Sequence, residues 1–177
     1  MGIVTDNTAL RNYPQLFKET GKLMSDYLSK YGFSITMINM GFTGLLSLGY
    51  VLLVGGKLNG PVTGAILVVI GFSAMGKHPK NVFPILLGVG IGAVTKIWNI
   101  NDTSIILAAL FGTSLAPLAG EFGFFVGLVA SYIHLSVTVN VVSLHGGLNL
   151  YNNGFASGLV VAFLYPIIRT FSRRLNK

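Results

Sequence analysis

The sequence contains no cysteine and very little charge. Asp, Glu, Lys and Arg make up 10% of its 177 residues, where a soluble domain carries about 25%. Without cysteine there is neither a disulfide framework nor a thiolate metal site. Charge this sparse cannot coat a water-facing surface, which excludes an ordinary soluble enzyme and a disordered chain. Carboxylates are scarcest of all: Asp6, Glu19, Asp26, Asp102 and Glu121 are the full set, and none of them forms the pair that acid–base hydrolysis needs. The 12 Lys and Arg give a net charge of +7. They gather at the chain ends and in short turns rather than in a stripe, so nucleic acid is not a partner. What is abundant is apolar surface, 52% of residues, with a mean hydropathy of +0.70. The composition is that of an integral membrane protein, and the lipid bilayer is its first partner.

Three regions follow from the pattern. Residues 1–31 are polar and amphipathic, with Leu16, Phe17, Leu23, Met24, Tyr27, Leu28 and Tyr31 at helical spacing. They predict either a helix lying on the bilayer surface or one packed on the protein's own cytosolic face. No apolar core directly follows a basic start, so a cleavable signal is not expected. Residues 32–171 form the transmembrane domain, and 172–177 a basic cytoplasmic tail. Six apolar segments run at about 32–54, 61–76, 82–97, 103–118, 122–144 and 155–171. The expected fold is all-α, a polytopic transmembrane helical bundle with some short or re-entrant segments. The first and fifth reach the roughly 20 residues a bilayer core requires. The second, third and fourth hold about 16 residues, about 24 Å of helix. Irregular backbone at depth is tolerated where it is buried in protein or lines a water-filled cavity. With six crossings and the N-terminus inside, all the Lys and Arg except Lys57 and Lys96 are cytoplasmic, which predicts both termini inside and a parallel arrangement of any homodimer. Lys77-His78-Pro79-Lys80-Asn81 reads as a cytosolic turn or, in a re-entrant hairpin, as an anion-attracting vestibule.

Glycines recur as G-x-x-x-G at 60/64, 88/92, 123/127 and 154/158. Small residues at that spacing let two helix backbones approach, within one bundle or between copies. A second repetition carries more chemistry. Asn59-Gly60-Pro61-Val62-Thr63-Gly64 and Asn153-Gly154-Phe155-Ala156-Ser157-Gly158 share N-G-x-x-[ST]-G before an aliphatic run. Read as two helix starts at the bilayer, they aim unpaired N–H groups at a polar or anionic solute. Read plainly, they are two starts with common turn chemistry. The loop before the second is polar and glycine-rich, adding His145, Asn149 and Asn152. On the fifth segment Ser131, His134, Thr138 and His145 fall on nearly one face; intramembrane ionisable groups are functional candidates. His134 can hydrogen-bond a solute, relay a proton, or tie two helices together. The candidate solute-binding residues are therefore Asn59, Gly60, Thr63, His134, Thr138, His145, Asn149, Asn152, Asn153, Gly154 and Ser157. Asn140 lies off this face, Asp102 is placed to cap the fourth segment, and Glu121 is a turn residue or a proton-coupling site. No metal is expected, since two histidines eleven apart lack a third ligand, and no cofactor is implied.

Six apolar segments with Ser157 in the sixth bear a loose similarity to the rhomboid arrangement of intramembrane serine proteases. There the partner histidine follows the serine, and no histidine follows Ser157. H-E-x-x-H and G-x-S-x-G are both absent, so no enzyme is expected. Leu58–Gly64, Gly76–Asn81 and His145–Gly158 together resemble an uncharacterised bacterial multi-pass membrane family catalogued as a domain of unknown function, over nearly all of the chain from Gly21. The resemblance implies relatives that are often longer, with this chain a half-length version completed by a second copy or another subunit. Asn153-Gly154 is similar, more weakly, to a turn of bacterial urea transporters. The expected function is a channel or transporter of the inner membrane for a small polar or anionic solute. The alternative is a non-transporting subunit or scaffold that binds a partner through its glycine-rich faces.

Overall fold

The computed structural model describes residues 8–21, 25–146 and 149–175, apart from the side chains of Ser143, His145 and residues 172–175. Every regular element among them is helical. A short α1 (Ala9–Asn12) runs into a 3-10 turn (Tyr13–Lys18). There follow α2 (Tyr27–Leu53), α3 (Gly60–Phe72), α4 (Pro79–Val94), α5 (Thr103–Gly112) with a 3-10 turn (Thr113–Leu115), α6 (Ala116–Phe122), α7 (Phe124–Asn140) and α8 (Asn149–Leu175). Three spans among the described residues are long and apolar enough to cross a membrane: Tyr27–Leu53, Thr103–Phe122 and Asn149–Phe171. The chain is an all-helical membrane protein, as its composition required.

Local chemistry sets the helix starts. The Asp26 carboxylate accepts from the Leu28 and Ser29 N–H groups at 2.9 and 3.2 Å; Asn59 accepts from Val62 N–H at 3.0 Å. His78 and Asn81 cap each other reciprocally at the head of α4, so orphan donors are satisfied by side chains. Asp102 stands at the N-cap of α5, but its side chain makes no capping bond; its carbonyl takes the Ile105 and Ile106 N–H groups instead. α2 is interrupted at Gly32, where φ is 78°.

Three expectations differ from what forms. The N-terminal region is not one long amphipathic helix, because the chain leaves the 3-10 turn at an extended Glu19 and turns at Gly21, with φ of 85°. The segment instead lies on α2, burying Ala9, Tyr13 and Leu16 against Tyr27, Ile35 and Ile38. The fifth apolar segment stops at Asn140, 17 residues into its helix, while the fourth continues to Phe122. The sixth begins at Asn149, six residues before the first aromatic of its apolar run, because polar Asn149 to Asn153 join the helix.

The bundle closes around α4 and α7, which run side by side. A side chain on Gly88 would overlap Ser131 Oγ and the Leu128 backbone, and one on Gly92 would press within 3.2 Å of Leu135. That pair of glycines serves contact within the chain, as does Gly127 against Ala119. Val51, Val62, Val69, Leu86, Val89, Ile106, Leu110 and Leu135 form the main apolar core.

The turn between α3 and α4 is buried at Ser73, Gly76, Lys77 and His78, and four of its carbonyls are satisfied from elsewhere in the chain. Asn39 Nδ2 donates to both the Ser73 and the Lys77 carbonyls at 2.7 Å. The Tyr27 N–H takes the Ala74 carbonyl at 3.1 Å, and Asn81 Nδ2 takes Gly76 at 3.0 Å. A polar turn placed in an apolar bundle needs this accounting, since each unpaired group is costly there. Lys77 and His78 are buried within it, not on a solvated surface.

Candidate functional site

The site grows from a fault in the fourth segment. Pro117 lacks an N–H and its ring crowds the carbonyl four residues before it, that of Thr113. α5 therefore ends at Gly112 and the helix tightens to a 3-10 turn through Thr113, Ser114 and Leu115 before α6 resumes. The fault lies midway along Thr103–Phe122, about 15 Å of helix from Thr103. It presents two hydroxyls at depth. Thr113 donates to the Leu110 carbonyl at 2.6 Å and receives the Lys77 ammonium at 2.8 Å. Ser114 Oγ lies 2.6 Å from Ser157 Oγ on α8.

His134 of α7 is fully buried at the next step. Its Nδ1 is 3.4 Å from Ser157 Oγ, and its Nε2 is 3.0 Å from Asn153 Oδ1 and 3.2 Å from Thr138 Oγ1. Gly112 makes room for the ring, since a Cβ there would stand 3.0 Å from it. Asn153 Nδ2 donates to the Asn149 carbonyl at 2.7 Å, which turns Oδ1 toward the imidazole as an acceptor. Nε2 then carries the proton, and Nδ1 is left as an acceptor facing the Ser157 hydroxyl. His134 thus donates to Asn153, while between Ser114 and Ser157 either hydroxyl can be the donor.

A second string joins the same fault from the other side. The Tyr13 hydroxyl donates to Asn39 Oδ1 at 3.1 Å, Asn39 holds the Lys77 carbonyl, and the Lys77 ammonium reaches Thr113. Tyr13, Asn39, Lys77, Thr113, Ser114, Ser157, His134 and Thr138 thus form a nearly continuous polar line through an apolar bundle. Beside it, a cleft of about 300 Å³ opens between α3 and α8, floored by the 3-10 turn, with Lys77, Ser114 and Gly154 on its wall.

The residues picked from sequence divide into two sets. His134, Thr138, Asn153 and Ser157 meet; Asn149 joins through its carbonyl, Asn152 is buried beside them and Gly154 lines the cleft. Asn59, Gly60 and Thr63 do not reach this group. Asn59 caps α3 and donates to Thr103 Oγ1 at 2.9 Å, while Gly60 and Thr63 are exposed. The two N-G-x-x-[ST]-G stretches are therefore not equivalent: Asn59 is an N-cap, whereas Asn153 is the fifth residue of α8 and offers its side chain rather than a free helix end. The His145 side chain lies outside the described residues. Asn140 is exposed and bonds back to the Ser136 carbonyl, and Glu121 accepts from the Tyr165 hydroxyl at 3.5 Å.

Asn39, Thr113, Ser114 and the inward reach of Lys77 escape a periodicity reading. Their signal is present all the same: a lone amide in the first apolar run, and Thr-Ser followed by a proline in the fourth.

Neither the curated proteins nor the solved structures contain a match to the chain. Residues 5–170 match the family described as "Protein of unknown function (DUF1576)", and with nearly its whole length so covered the chain belongs to that family.

Proposed function

We propose that this is a multi-pass protein of the bacterial inner membrane, with both termini cytoplasmic, that passes a small polar or anionic solute along the polar line. One observation carries the reading: hydroxyls, amides, an imidazole and an ammonium, most of them buried, form a nearly continuous string through the bundle, at a helix fault beside a cleft. A bundle built only to be stable gains little from such a line, since side-chain hydrogen bonds in membranes average about 0.6 kcal/mol. Polar groups inside a membrane more often line a route. With Lys77 drawn into the bundle, nine of the other eleven basic residues lie on the side assigned to the cytoplasm, which supports the orientation. Ser157 and His134 serve as links in this line rather than as nucleophile and base. Ser157 sits within α8, where the helix takes up the neighbouring N–H groups that an oxyanion hole would require.

Proteoliposomes test the reading by light scattering, with glycerol, urea and formate as solutes. Swelling faster than that of empty liposomes is expected for at least one of them. His134→Leu and Asn153→Leu, each inserting an apolar side chain into the line, should return it to the empty-liposome rate. Equal rates for the native chain and empty liposomes would reject transport.

A second reading is favoured by a different observation. Gly60 and Gly64 on α3 face open space, with nothing within 4 Å of an added Cβ, unlike Gly88 and Gly92. A parallel second copy or another membrane subunit seated there would make the chain a scaffold. Cross-linking in membranes through a cysteine at residue 64 distinguishes the two, and the natural absence of cysteine keeps that experiment clean.

A further inference from the structure

Among the described residues, the Lys77 ammonium is a buried charge without a carboxylate partner. Lys77 is 9% exposed. Its contacts are one hydrogen bond, to Thr113, and the face of Phe72 at 5.0 Å. Four of the five carboxylates lie among the described residues: Glu19 is engaged with Lys30, Asp26 caps α2 and Glu121 meets Tyr165, while Asp102 stands at the head of α5, the start of the span whose middle Lys77 reaches. No salt bridge to Lys77 is formed among the described residues. A buried cation is ordinarily paired, because its desolvation goes uncompensated otherwise. Long basic side chains usually extend toward water, yet this one reaches the middle of Thr103–Phe122 and stands on the wall of the cleft.

The rest of the cleft specifies what the missing counter-charge looks like. Among the described residues that line it, Ser114 is the other polar side chain; Val68, Phe72, Met75, Phe111 and Leu150 supply an apolar wall. One ammonium with one hydroxyl matches a single carboxylate, with charge-assisted bonds to its oxygens. The apolar wall matches a compact hydrocarbon body, and about 300 Å³ is the lower end of small-molecule pockets. We propose that the cleft between α3 and α8 binds a small monocarboxylate with an apolar body, its carboxylate on Lys77 and Ser114. This deepens the reading of the polar line as a solute route by fixing the chemistry of the solute; binding itself is measured without any transport.

The test uses the full chain in zwitterionic lipid nanodiscs and calorimetric titration with sodium benzoate. Saturable binding is expected, with benzamide and sulfate at least about tenfold weaker, as loss of a charged hydrogen bond implies. Lys77→Met should weaken benzoate by about 10- to 100-fold and Lys77→Arg should retain most of it. Ser114→Ala, at an exposed hydroxyl, serves if Lys77→Met fails to fold, with a loss of about three- to tenfold. Equal binding of benzamide and benzoate overturns the proposal, as does unchanged affinity in Lys77→Met. Tighter binding of dodecanoate than of benzoate also overturns it, by assigning the cleft to lipid chains. Benzoate binding without solute flux upholds this inference while removing the transport reading. Glycerol flux without benzoate binding does the reverse.

Discussion

Replacing Asn39 with Leu removes three hydrogen bonds at one position. The amide donates to the Ser73 and Lys77 carbonyls and accepts from the Tyr13 hydroxyl, and the side chain is fully buried. Leu is close in size, so cavity and overpacking terms stay small and the polar loss dominates. Side-chain hydrogen bonds in membrane bundles average about 0.6 kcal/mol and reach about 1.7; three of them give about 2 to 5 kcal/mol. The upper part of that range applies if both carbonyls stay buried without partners. Tyr13→Phe, which removes one bond, should cost about 0.6 kcal/mol. The double variant should be no less stable than Asn39→Leu by itself, because the tyrosine has already lost its acceptor. Reversible unfolding in mixed micelles by added dodecyl sulfate, followed by circular dichroism, measures all three. A loss below about 0.5 kcal/mol for Asn39→Leu, or full additivity with Tyr13→Phe, would refute the view that this amide holds the α3–α4 turn in place.

Two further outcomes follow from the same contacts. Lys30 and the Tyr31 hydroxyl both donate to Glu19 and hold its carboxyl below the ordinary glutamate value. Its contribution is therefore complete at neutral pH, begins to fall near the unfolded value of about 4.3, and is gone once the pH passes below the lowered one. Proteolysis of the N-terminal segment should accelerate across that acid range, and Glu19→Gln should flatten the response; a profile identical in the variant would count against it. Gly88→Val should force α4 from α7 and cost about 1–3 kcal/mol or more, whereas Gly64→Val, facing open space, should leave the isolated chain's unfolding nearly unchanged. Equal losses at the two positions would mean that the α4–α7 contact is not what Gly88 serves.

Counting residues was enough to place this chain in a bilayer and make it helical. Charge at 10% and long apolar runs leave no other solvent in which the backbone can be satisfied. The clustering of His134, Thr138, Asn153 and Ser157 was half visible as well, since a helical repeat aligns the first two and the polar loop contains the third. Which helices pair, and what Lys77 touches, was not visible. A lysine in a short basic turn has the same sequence signature whether it extends to water or inward to Thr113, and only the position of α5 beside that turn decides it. The same holds for the two similar asparagine–glycine stretches. Local chemistry made both look like helix starts, but Asn149 already begins α8, so Asn153 falls one turn inside and faces an imidazole. Sequence sets which groups need partners; the partners come from residues 19 to 43 positions away, and only the folded bundle brings them within reach.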